Sequence, residues 1–330
     1  MKALLCKSHG PADQLVLENI PSPTPGPGEV RLRVHACGVN FPDLLIIENK
    51  YQYKPPLPFS PGSEVAGEVI EIGPDVTKIK LGDRVIGMLT WGGYQEETLC
   101  EAARCIPVPD SMDLTTAAAF TLTYGTSFHA LVDRAQIRAG ETLLVLGATG
   151  GVGTAAIDIA RNLGVRVIAA GGSDDKLDKL RALYGVEDVI NYATLDKPLK
   201  ERVNELTNGK GADVIYDPIG GEPFQQSLRC INWEGRILVV GFAADGKNLP
   251  QARTNLLLLK GCSLVGVFWG RFSEVNPVKS AENFATLFAM HARGELNPNI
   301  SHRFALANGA AALHALENRE VVGKCVITMS

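Results

Sequence analysis

The sequence lacks the features that would tie the chain to a membrane or to nucleic acid. None of its 330 residues belongs to an apolar run long enough to span a bilayer. The formal net charge is −4, which gives no excess of positive charge for binding nucleic acid or an anionic membrane surface. The first residues lack the long apolar core of a signal peptide and predict a first β-strand instead. We therefore predict a cytoplasmic protein that binds neither membranes nor nucleic acid.

The cysteines and histidines are dispersed along the chain and form no recognisable disulfide or metal pattern. The seven cysteines include no C-x-x-C pair, and the six histidines show no metal-binding spacing. An odd, scattered set of cysteines predicts buried thiols in a reducing compartment. No G-x-S-x-G motif is present either, so hydrolase chemistry has no support.

The first 120 or so residues contain short β-type runs separated by glycine turns. Val30–Val34 alternates apolar and polar side chains, as a half-buried strand does. Further runs lie at 65–72, 81–87 and 91–99. Many short strands with glycine turns predict a compact β-barrel. The proline-rich stretch 21–28 lies between two such runs, so we expect an ordered surface loop there.

From about Thr115 onward, the pattern changes to strands that alternate with helices. The predicted strands are 143–146, 166–170, 188–191, 214–217, 236–240 and 263–267. The predicted helices between them are 154–163, 174–183, about 196–207 and 224–231, and a helix of about ten residues begins near Ser280. This alternation predicts an α/β fold with a parallel, doubly wound sheet. A terminal strand is predicted over 324–328.

A glycine-rich turn follows the first of these strands and precedes the first helix. The turn runs from Gly147 to Gly153, and Ala148 replaces the first glycine of a strict G-x-G-x-x-G. Glycines let the backbone approach a pyrophosphate closely, and the helix N-terminus offers free N–H groups. The context of strand, turn and helix therefore predicts a dinucleotide-binding site.

The residues after the second strand indicate which dinucleotide binds. NAD sites usually carry an acid at this point to hold the ribose 2′-hydroxyl. Here the strand is followed by Gly172 and Ser173, with Lys176 three residues further on. Asp174 and Asp175 fit the first turn of the next helix, where acids complement the helix dipole. This chemistry favours NADP(H) over NAD.

Several motifs in the same order resemble those of the medium-chain dehydrogenase/reductase superfamily and, within it, the zinc-free NADPH:quinone oxidoreductase (zeta-crystallin-like) branch. The motifs are Cys37-Gly-Val-Asn-Phe-Pro-Asp43, Leu57-Pro-Phe-Ser-Pro-Gly-Ser-Glu-Val-Ala-Gly67, Leu81-Gly-Asp-Arg-Val85, Leu122-Thr-Tyr-Gly-Thr126, Gly150-Gly-Val-Gly153, Val189-Ile-Asn-Tyr192 and Tyr216-Asp-Pro-Ile-Gly-Gly221. The resemblance implies a Rossmann doubly wound sheet over 123–265. It also implies a GroES-like β-barrel catalytic domain formed by 1–122 and 266–330, and a homodimer that pairs through the sixth-strand regions.

The resemblance also implies chemistry without a metal. Zinc-dependent alcohol dehydrogenases of the superfamily place a cysteine at the position of Asn40 and a histidine at that of Ser63. Cys37 lies three residues too early to substitute, and Asp43 is expected to cap or orient the Asn40 loop. Without a Lewis acid, the hydride acceptor must already be electrophilic, as a quinone or an α,β-unsaturated carbonyl is.

The site residues follow from the resemblance by position. Asn40 and Tyr51 are implied to line the substrate pocket. Asn40 would offer N–H donors, and Tyr51 a hydroxyl donor and an aromatic platform for a flat substrate ring. Similar quinone reductases carry a second tyrosine at the position of Leu45, for which Tyr53 is an alternative. The positions implied for the cofactor are Asn40, Thr123, Gly150, Gly151, Val152, Gly172, Ser173, Lys176, Tyr192, Gly241, Phe242, Phe268 and Gly270.

The predicted function is NADPH-dependent hydride transfer to a quinone. One alternative is reduction of enones or 2-enoyl-CoA thioesters, for which Arg271, Lys279 and Arg303 would supply a basic entrance. Another is a non-catalytic role, because related chains serve as lens crystallins or trafficking adaptors that bind NADPH. Phe268 and Trp269 could equally form a core or dimer-interface cluster.

Overall fold

The computed structural model describes residues 1–244 and 249–329 of the chain. These residues form two compact units. The first unit combines residues 1–122 with the residues from 299 onward, and the second contains Thr123–Pro298. No helix in the described ranges is long and apolar enough to cross a bilayer.

The secondary structure follows the predicted alternation closely. In chain order, the strands are β1 (Lys2–Cys6), β2 (Leu15–Asn19), β3 (Glu29–Val39), β4 (Glu64–Ile72), β5 (Arg84–Met88), β6 (Glu97–Glu101), β7 (Cys105–Pro107), β8 (Thr142–Val145), β9 (Arg166–Gly171), β10 (Asp188–Asn191), β11 (Ala212–Asp217), β12 (Ile231–Val239), β13 (Ser263–Gly266), β14 (Ile300–Ala305) and β15 (Lys324–Thr328). The α-helices are α1 (Phe41–Ile47), α2 (Leu114–Ala117), α3 (Thr121–Phe128), α4 (Gly151–Asn162), α5 (Asp174–Tyr184), α6 (Leu199–Leu206), α7 (Gly221–Ser227), α8 (Thr254–Lys260), α9 (Trp269–Val275), α10 (Pro277–Ala292) and α11 (Gly309–Glu317).

The first unit is built on a mostly antiparallel sheet with strand order β14-β15-β3-β4-β5-β7, and β6 also pairs with β3. Within β3, the side chains of Val30, Leu32 and Val34 are buried, as the alternating pattern predicts. Arg31, between them, faces outward and forms an ion pair with Glu71. Strands β3 and β4 therefore supply one face to the core of this unit.

The terminal strand β15 belongs to the same sheet. It runs antiparallel to β3, with Cys325 opposite Val39 and Ile327 opposite Cys37. This register places the first residue of β15, Lys324, beside the end of β3, where α1 begins. A residue from the far end of the chain thus reaches the segment on which Asn40 lies.

The second unit is built on a six-stranded parallel sheet with strand order β10-β9-β8-β11-β12-β13. The predicted parallel, doubly wound sheet is confirmed, because β8 lies at the centre and the strand order reverses beside it. Leu143, Leu144 and Val145 of β8 are completely buried, which explains their continuous apolar run. The α/β fold places the carboxyl end of β8 at the switch point where such sheets bind ligands.

Some of the predicted boundaries differ from those in the structure. The chain was predicted to return to the first domain at residue 266, but residues 266–298 belong to the second unit. The reason is packing: a Cβ atom on Gly125 would lie within 3.0 Å of both the Trp269 and Phe284 rings, and Asn283 donates a hydrogen bond to Asp133. Helix α10, predicted to have about ten residues, has 16.

The helix predicted over 224–231 also has different bounds in the structure. Helix α7 begins at Gly221 and ends at Ser227. Ile231 instead begins β12 and pairs with Ala212 of β11. Both side chains are completely buried, so pairing within the sheet overrides the helical pattern at this position.

Candidate functional site

The glycine turn of the second unit connects β8 to α4. Gly147 adopts a φ of +57°, which only glycine adopts without strain. The Gly150 N–H donates to the Gly147 carbonyl, and the Thr154 N–H donates to the Gly150 carbonyl. Gly150 is the N-cap residue of α4 and has no side chain to cap the helix. The first N–H groups of a helix have no partner within it, so Gly151 and Val152 offer donors to an anion.

The two later glycines of the motif are required for different reasons. A Cβ atom on Gly153 would lie 2.5 Å from the Gly147 carbonyl oxygen, so the fold itself needs glycine there. A Cβ atom on Gly150 would lie 3.4 Å from the same oxygen, which is ordinary contact, and its φ of −78° suits any residue. The fold therefore tolerates a Cβ atom at Gly150, and a glycine here leaves the backbone open to close approach by a phosphate group.

The corner predicted to hold the 2′-phosphate is formed by the carboxyl ends of β9 and β10. Asn191 of β10 pairs with Gly171 of β9, and the Tyr192 N–H donates to the Gly171 carbonyl. As a result, the Tyr192 ring lies 3.5 Å from the position of a Cβ atom on Gly172. The structure thus brings Gly172 and Tyr192 together.

Ser173 and Lys176 stand beside this corner. Ser173 is the N-cap residue of α5, and Lys176 lies in the first turn of that helix. Asp174 and Asp175 occupy the same turn, where they complement the helix dipole as predicted. Ser173 and Lys176, at the start of this helix, carry a hydroxyl and an ammonium group, which are suitable donors for a phosphate.

The remaining residues predicted to bind the cofactor lie on other elements of the second unit. Gly241 follows β12, and a Cβ atom there would lie 2.9 Å from the Pro218 carbonyl oxygen, so packing alone requires this glycine. Phe242 and Phe268 are both exposed, whereas Thr123 is buried in α3. Gly270, in the first turn of α9, lies against the Phe268 ring.

In the first unit, Asn40 lies between β3 and α1 and is almost completely buried. Its Oδ1 accepts a hydrogen bond of 2.6 Å from Nζ of Lys324. Its Nδ2 lies 3.3 Å from the Gly38 carbonyl oxygen and 3.3 Å from Oε2 of Glu64. We predicted that this amide donates to a substrate, but in the structure both of its protons have acceptors within the protein.

Glu64 completes this cluster. The carboxylate is completely buried, accepts a 2.8 Å hydrogen bond from the Leu122 N–H, and lies 3.3 Å from Nζ of Lys324. Burying a charge is costly unless it is paired and hydrogen-bonded, and both conditions are met here. The Lys324 cation therefore compensates a charge that the fold keeps away from water.

A second buried carboxylate lies one turn into α1. Oδ2 of Asp43 accepts hydrogen bonds from the Asn40 N–H at 2.8 Å and from the Tyr94 hydroxyl at 3.0 Å. Burial raises the pKa of Asp43 to about 6, although these two hydrogen bonds act in the opposite direction. The prediction that Asp43 orients the Asn40 loop is confirmed by the Asn40 N–H contact.

Tyr51 lies after α1 and is only partly buried against the core of the first unit. Its ring lies 5.7 Å from that of Tyr53, centroid to centroid, at an angle of 57°. Burial raises the pKa of Tyr51, so its hydroxyl stays protonated and can donate a hydrogen bond at neutral pH. The structure thus places Tyr53, the predicted alternative to Leu45, directly beside Tyr51.

The residues around Asn40 do not fit a zinc ion. Asn40 and Ser63 supply neither thiolate nor imidazole, and burial raises the pKa of the nearby Cys37 thiol well above its ordinary value. An ammonium group, which repels cations, already lies against the Asn40 and Glu64 oxygens. Over residues 1–244 and 249–329, no three His, Cys, Asp or Glu side chains are arranged to hold a metal ion.

Sequence reasoning missed Lys324 and Tyr94. Lys324 is followed by three apolar residues in the terminal strand, and that lone charge beside an apolar run was the available signal. Tyr94 follows two glycines in a predicted turn and is nevertheless completely buried. Neither residue lies near Asn40 in sequence, so only the fold reveals their connection to it.

The chain matches two family models and many known proteins. The model described as "Alcohol dehydrogenase GroES-like domain" matches residues 26–110, and the one described as "Zinc-binding dehydrogenase" matches residues 151–284. The quinone oxidoreductase-like protein 2 of Rattus norvegicus is 40% identical, over 92% of this chain and 86% of its own length.

Two solved structures extend the comparison to three dimensions. A mycobacterial protein complexed with NADPH is 30% identical, with a TM-score of 0.90 and both chains covered completely. The Escherichia coli quinone oxidoreductase complexed with NADPH is 26% identical, with a TM-score of 0.90 and the same coverage. Together with the Rossmann-type sheet and the glycine turn, these matches show that the chain belongs to the medium-chain dehydrogenase/reductase superfamily and has quinone oxidoreductase-like relatives.

Proposed function

We propose that the protein is an NADPH-dependent oxidoreductase that reduces a quinone without a metal ion. The observation that carries this proposal is the turn between β8 and α4, where Gly150 leaves the backbone open to close approach at a helix N-terminus. The NADPH complexes of the two similar solved structures support the choice of cofactor. The quinone oxidoreductase-like relatives support the choice of acceptor.

The cofactor would be held by backbone and side-chain groups of the second unit. Gly150, Gly151 and Val152 would bind the pyrophosphate through N–H groups, because the first turn of α4 offers these donors. Gly172, Ser173, Lys176 and Tyr192 would hold the 2′-phosphate, Lys176 through its charge and Gly172 by leaving space. Thr123, Gly241, Phe242, Phe268 and Gly270 would contact the riboses and the nicotinamide.

The bound NADPH would supply a hydride from C4 of its nicotinamide ring. Tyr51 would orient a flat quinone with its ring and donate its hydroxyl hydrogen bond to the oxygen on which negative charge develops. Asn40 would shape the pocket, with its amide fixed by Glu64 and Lys324. In the overall reaction, the quinone gains the hydride and one proton from water, and the product is a hydroquinone.

The proposal needs no metal, because a quinone carbonyl is electrophilic without a Lewis acid. The buried lysine against Asn40 and the raised pKa of the Cys37 thiol support this part of the proposal. Metal content measured on purified active protein tests it directly. Zinc bound in a 1:1 ratio, with activity lost on its removal, would contradict it.

The residues expected to attract a CoA thioester do not favour that alternative. Arg271 lies 3.1 Å from Glu274, and Lys279 lies 3.4 Å from Glu282, both within the second unit. These cations are thus partly neutralised by acids one helical turn away, and Arg303 belongs to the first unit. The enone and enoyl-CoA alternative therefore rests on the shared chemistry of conjugated acceptors alone.

One experiment distinguishes the proposed function from the two alternative functions. NADPH oxidation is measured with quinones, enones and 2-enoyl-CoA thioesters side by side, for the unmodified protein and for Tyr51→Phe and Asn40→Ala. We expect quinones to be the best acceptors and both variants to lower kcat with little change in NADPH affinity. Preference for enoyl thioesters would favour the first alternative, and no turnover with any acceptor would favour a non-catalytic role.

We also propose that the protein is a cytoplasmic homodimer in which a second copy covers the β13 edge of the sheet. Strand β13 ends the strand order, so one side of its backbone is unpaired within the described sheet. Leu258 and Leu259 of the preceding helix are 81% and 69% exposed, and Phe268 just after β13 is 60% exposed. An apolar surface beside a sheet edge suits isologous pairing. The seven free cysteines agree with a reducing compartment.

A further inference from the structure

Lys324 is a charged residue that is almost completely buried in the folded protein. Only 5% of the residue is exposed, and it lies at the start of the last strand, 284 positions after Asn40. Its Nζ has three acceptors: Asn40 Oδ1 at 2.6 Å, the Val39 carbonyl oxygen at 3.3 Å and Glu64 Oε2 at 3.3 Å. An ammonium group has three protons to donate, so this set uses all of them.

The ammonium group determines which way the Asn40 amide points. It can only donate, so Oδ1 rather than Nδ2 must face it. Nδ2 then faces Glu64 Oε2 and the Gly38 carbonyl oxygen. Both of these oxygens can only accept hydrogen bonds. A flip of the amide would place Nδ2 against the ammonium group and Oδ1 against a carboxylate, and both contacts would be repulsive. Lys324 and Glu64 together therefore allow a single orientation of this side chain.

The same contacts hold the start of α1. Asn40 is the N-cap residue of this helix, and its N–H donates to Asp43 inside the first turn. Helix α1 ends at Ile47, and Tyr51 follows four residues later. The contact between Lys324 and Asn40 thus anchors the N-terminal end of the segment that carries both residues proposed to line the substrate pocket.

We propose that Lys324 is a positioning residue for hydride transfer: by fixing the Asn40 amide, it holds the start of α1 in the geometry that the substrate pocket requires. This inference rests on the proposed function for its effect on turnover. Lys324 itself is buried among protein acceptors and is not proposed to touch substrate or cofactor.

The test must separate positioning from simple charge balance. Lys324→Met leaves Glu64 buried without its cation, and we expect it to be unstable. Lys324→Met combined with Glu64→Gln removes both charges while keeping the side-chain volumes and an acceptor for the Leu122 N–H. We expect this double variant to recover most of the unfolding temperature. We also expect its kcat to remain at least about tenfold lower, because a misplacement of about 1 Å can lower a reaction rate roughly 100-fold.

The controls are Glu64→Gln alone and Lys7→Met, which removes an exposed lysine paired with Glu18. NADPH affinity of the double variant should stay within about threefold of that of the unmodified protein, because all the proposed cofactor contacts except Asn40 lie in the second unit. If the double variant regains kcat together with its unfolding temperature, Lys324 only balances charge and the inference is wrong.

Hydrogen–deuterium exchange tests the inference without turnover. In the double variant, amides of residues 40–47 should exchange faster than in Glu64→Gln, while those of β8 and α4 should be unchanged. If the unmodified protein reduces no acceptor, the proposed function fails but this measurement still tests the positioning role. Unchanged exchange over residues 40–47 would overturn the inference whether or not the protein is active.

Discussion

The Tyr94 hydroxyl donates a hydrogen bond of 3.0 Å to Oδ2 of Asp43, inside the core of the first unit and away from water. The same oxygen accepts the Asn40 N–H at 2.8 Å. Even with two donors, burial raises the pKa of this carboxyl group from its ordinary 3.8 to about 6. The Glu64 charge acts in the same direction and the Lys324 charge opposes it.

This pKa makes the stability of the protein depend on pH. The folded state holds the Asp43 proton more tightly than the unfolded state, so Asp43 favours folding below pH 3.8 and loses that contribution as the pH rises through about 6. The total change is about 3 kcal/mol, of which roughly 1.4 kcal/mol falls between pH 5 and 8. The free energy of unfolding, measured by denaturant titration relative to Asp43→Asn, should therefore decrease over this range.

The control for this prediction is Asp75→Asn, which alters an exposed aspartate of the same unit. This comparison separates the effect of burial from that of removing one carboxylate. A difference between the unmodified protein and Asp43→Asn that grows in favour of the unmodified protein toward pH 8 would contradict a raised pKa.

A matched pair of valine substitutions tests which glycine of the turn is needed for folding and which for cofactor binding. Gly153→Val should destabilise the protein by several kcal/mol or prevent folding, because its Cβ would lie 2.5 Å from a backbone oxygen. Gly150→Val should fold with nearly unchanged stability but bind NADPH at least about tenfold more weakly, because its side chain fills the space proposed for the pyrophosphate. Thermal unfolding and fluorescence titration with NADPH provide the two measurements. Normal NADPH affinity in Gly150→Val would place the pyrophosphate elsewhere.

The role of Lys176 is tested by comparing two reduced cofactors. Lys176→Glu should weaken NADPH binding by roughly 10- to 100-fold, the range expected for a hydrogen bond to a charged group, and NADH binding much less. Lys179→Glu changes the same charge on an exposed position of α5 and should affect both cofactors little. Equal losses for NADPH and NADH in Lys176→Glu would refute its assignment to the 2′-phosphate.

The proposed dimer is tested at the β13 edge. Leu264→Arg introduces a charge on this strand, at a position that is 40% exposed, and should shift the protein to monomers in sedimentation velocity experiments. Leu81→Arg, at a position that is 65% exposed in the first unit, is the matched control and should leave the oligomeric state unchanged. A Leu264→Arg variant that remains dimeric would move the interface to another surface.

Local patterns in the sequence are enough to predict most of the second unit. The strand positions, the parallel sheet and the turn at Gly150 depend on runs of a few residues, whose period and glycine content can be read directly. The return to the first domain was misplaced at 266 because the packing of Trp269 and Phe284 against Gly125 joins segments far apart in the chain. No local pattern reports such a contact.

In the candidate site too, local patterns predict single residues, whereas contacts between distant segments appear only in the structure. Gly172 and Tyr192 were predicted separately, and the register of two neighbouring strands brings them together. Asn40 was predicted as a donor to substrate from its position in a motif. The structure instead gives its amide two acceptors and a lysine, because a strand from the end of the chain pairs beside it. Burial and pairing of charge could not be predicted from the motif alone.

The pairing of β15 with β3 has a consequence for how the chain is made. Lys324 follows Asn40 by 284 residues, so on the ribosome about 15–60 s pass between the synthesis of the two. Throughout this interval, Glu64 has no lysine to pair with and β3 lacks its neighbour β15. The whole segment Thr123–Pro298 is complete before Lys324 is added, so the second unit can fold first. The buried charge cluster around Asn40 can form only after Lys324 has been added.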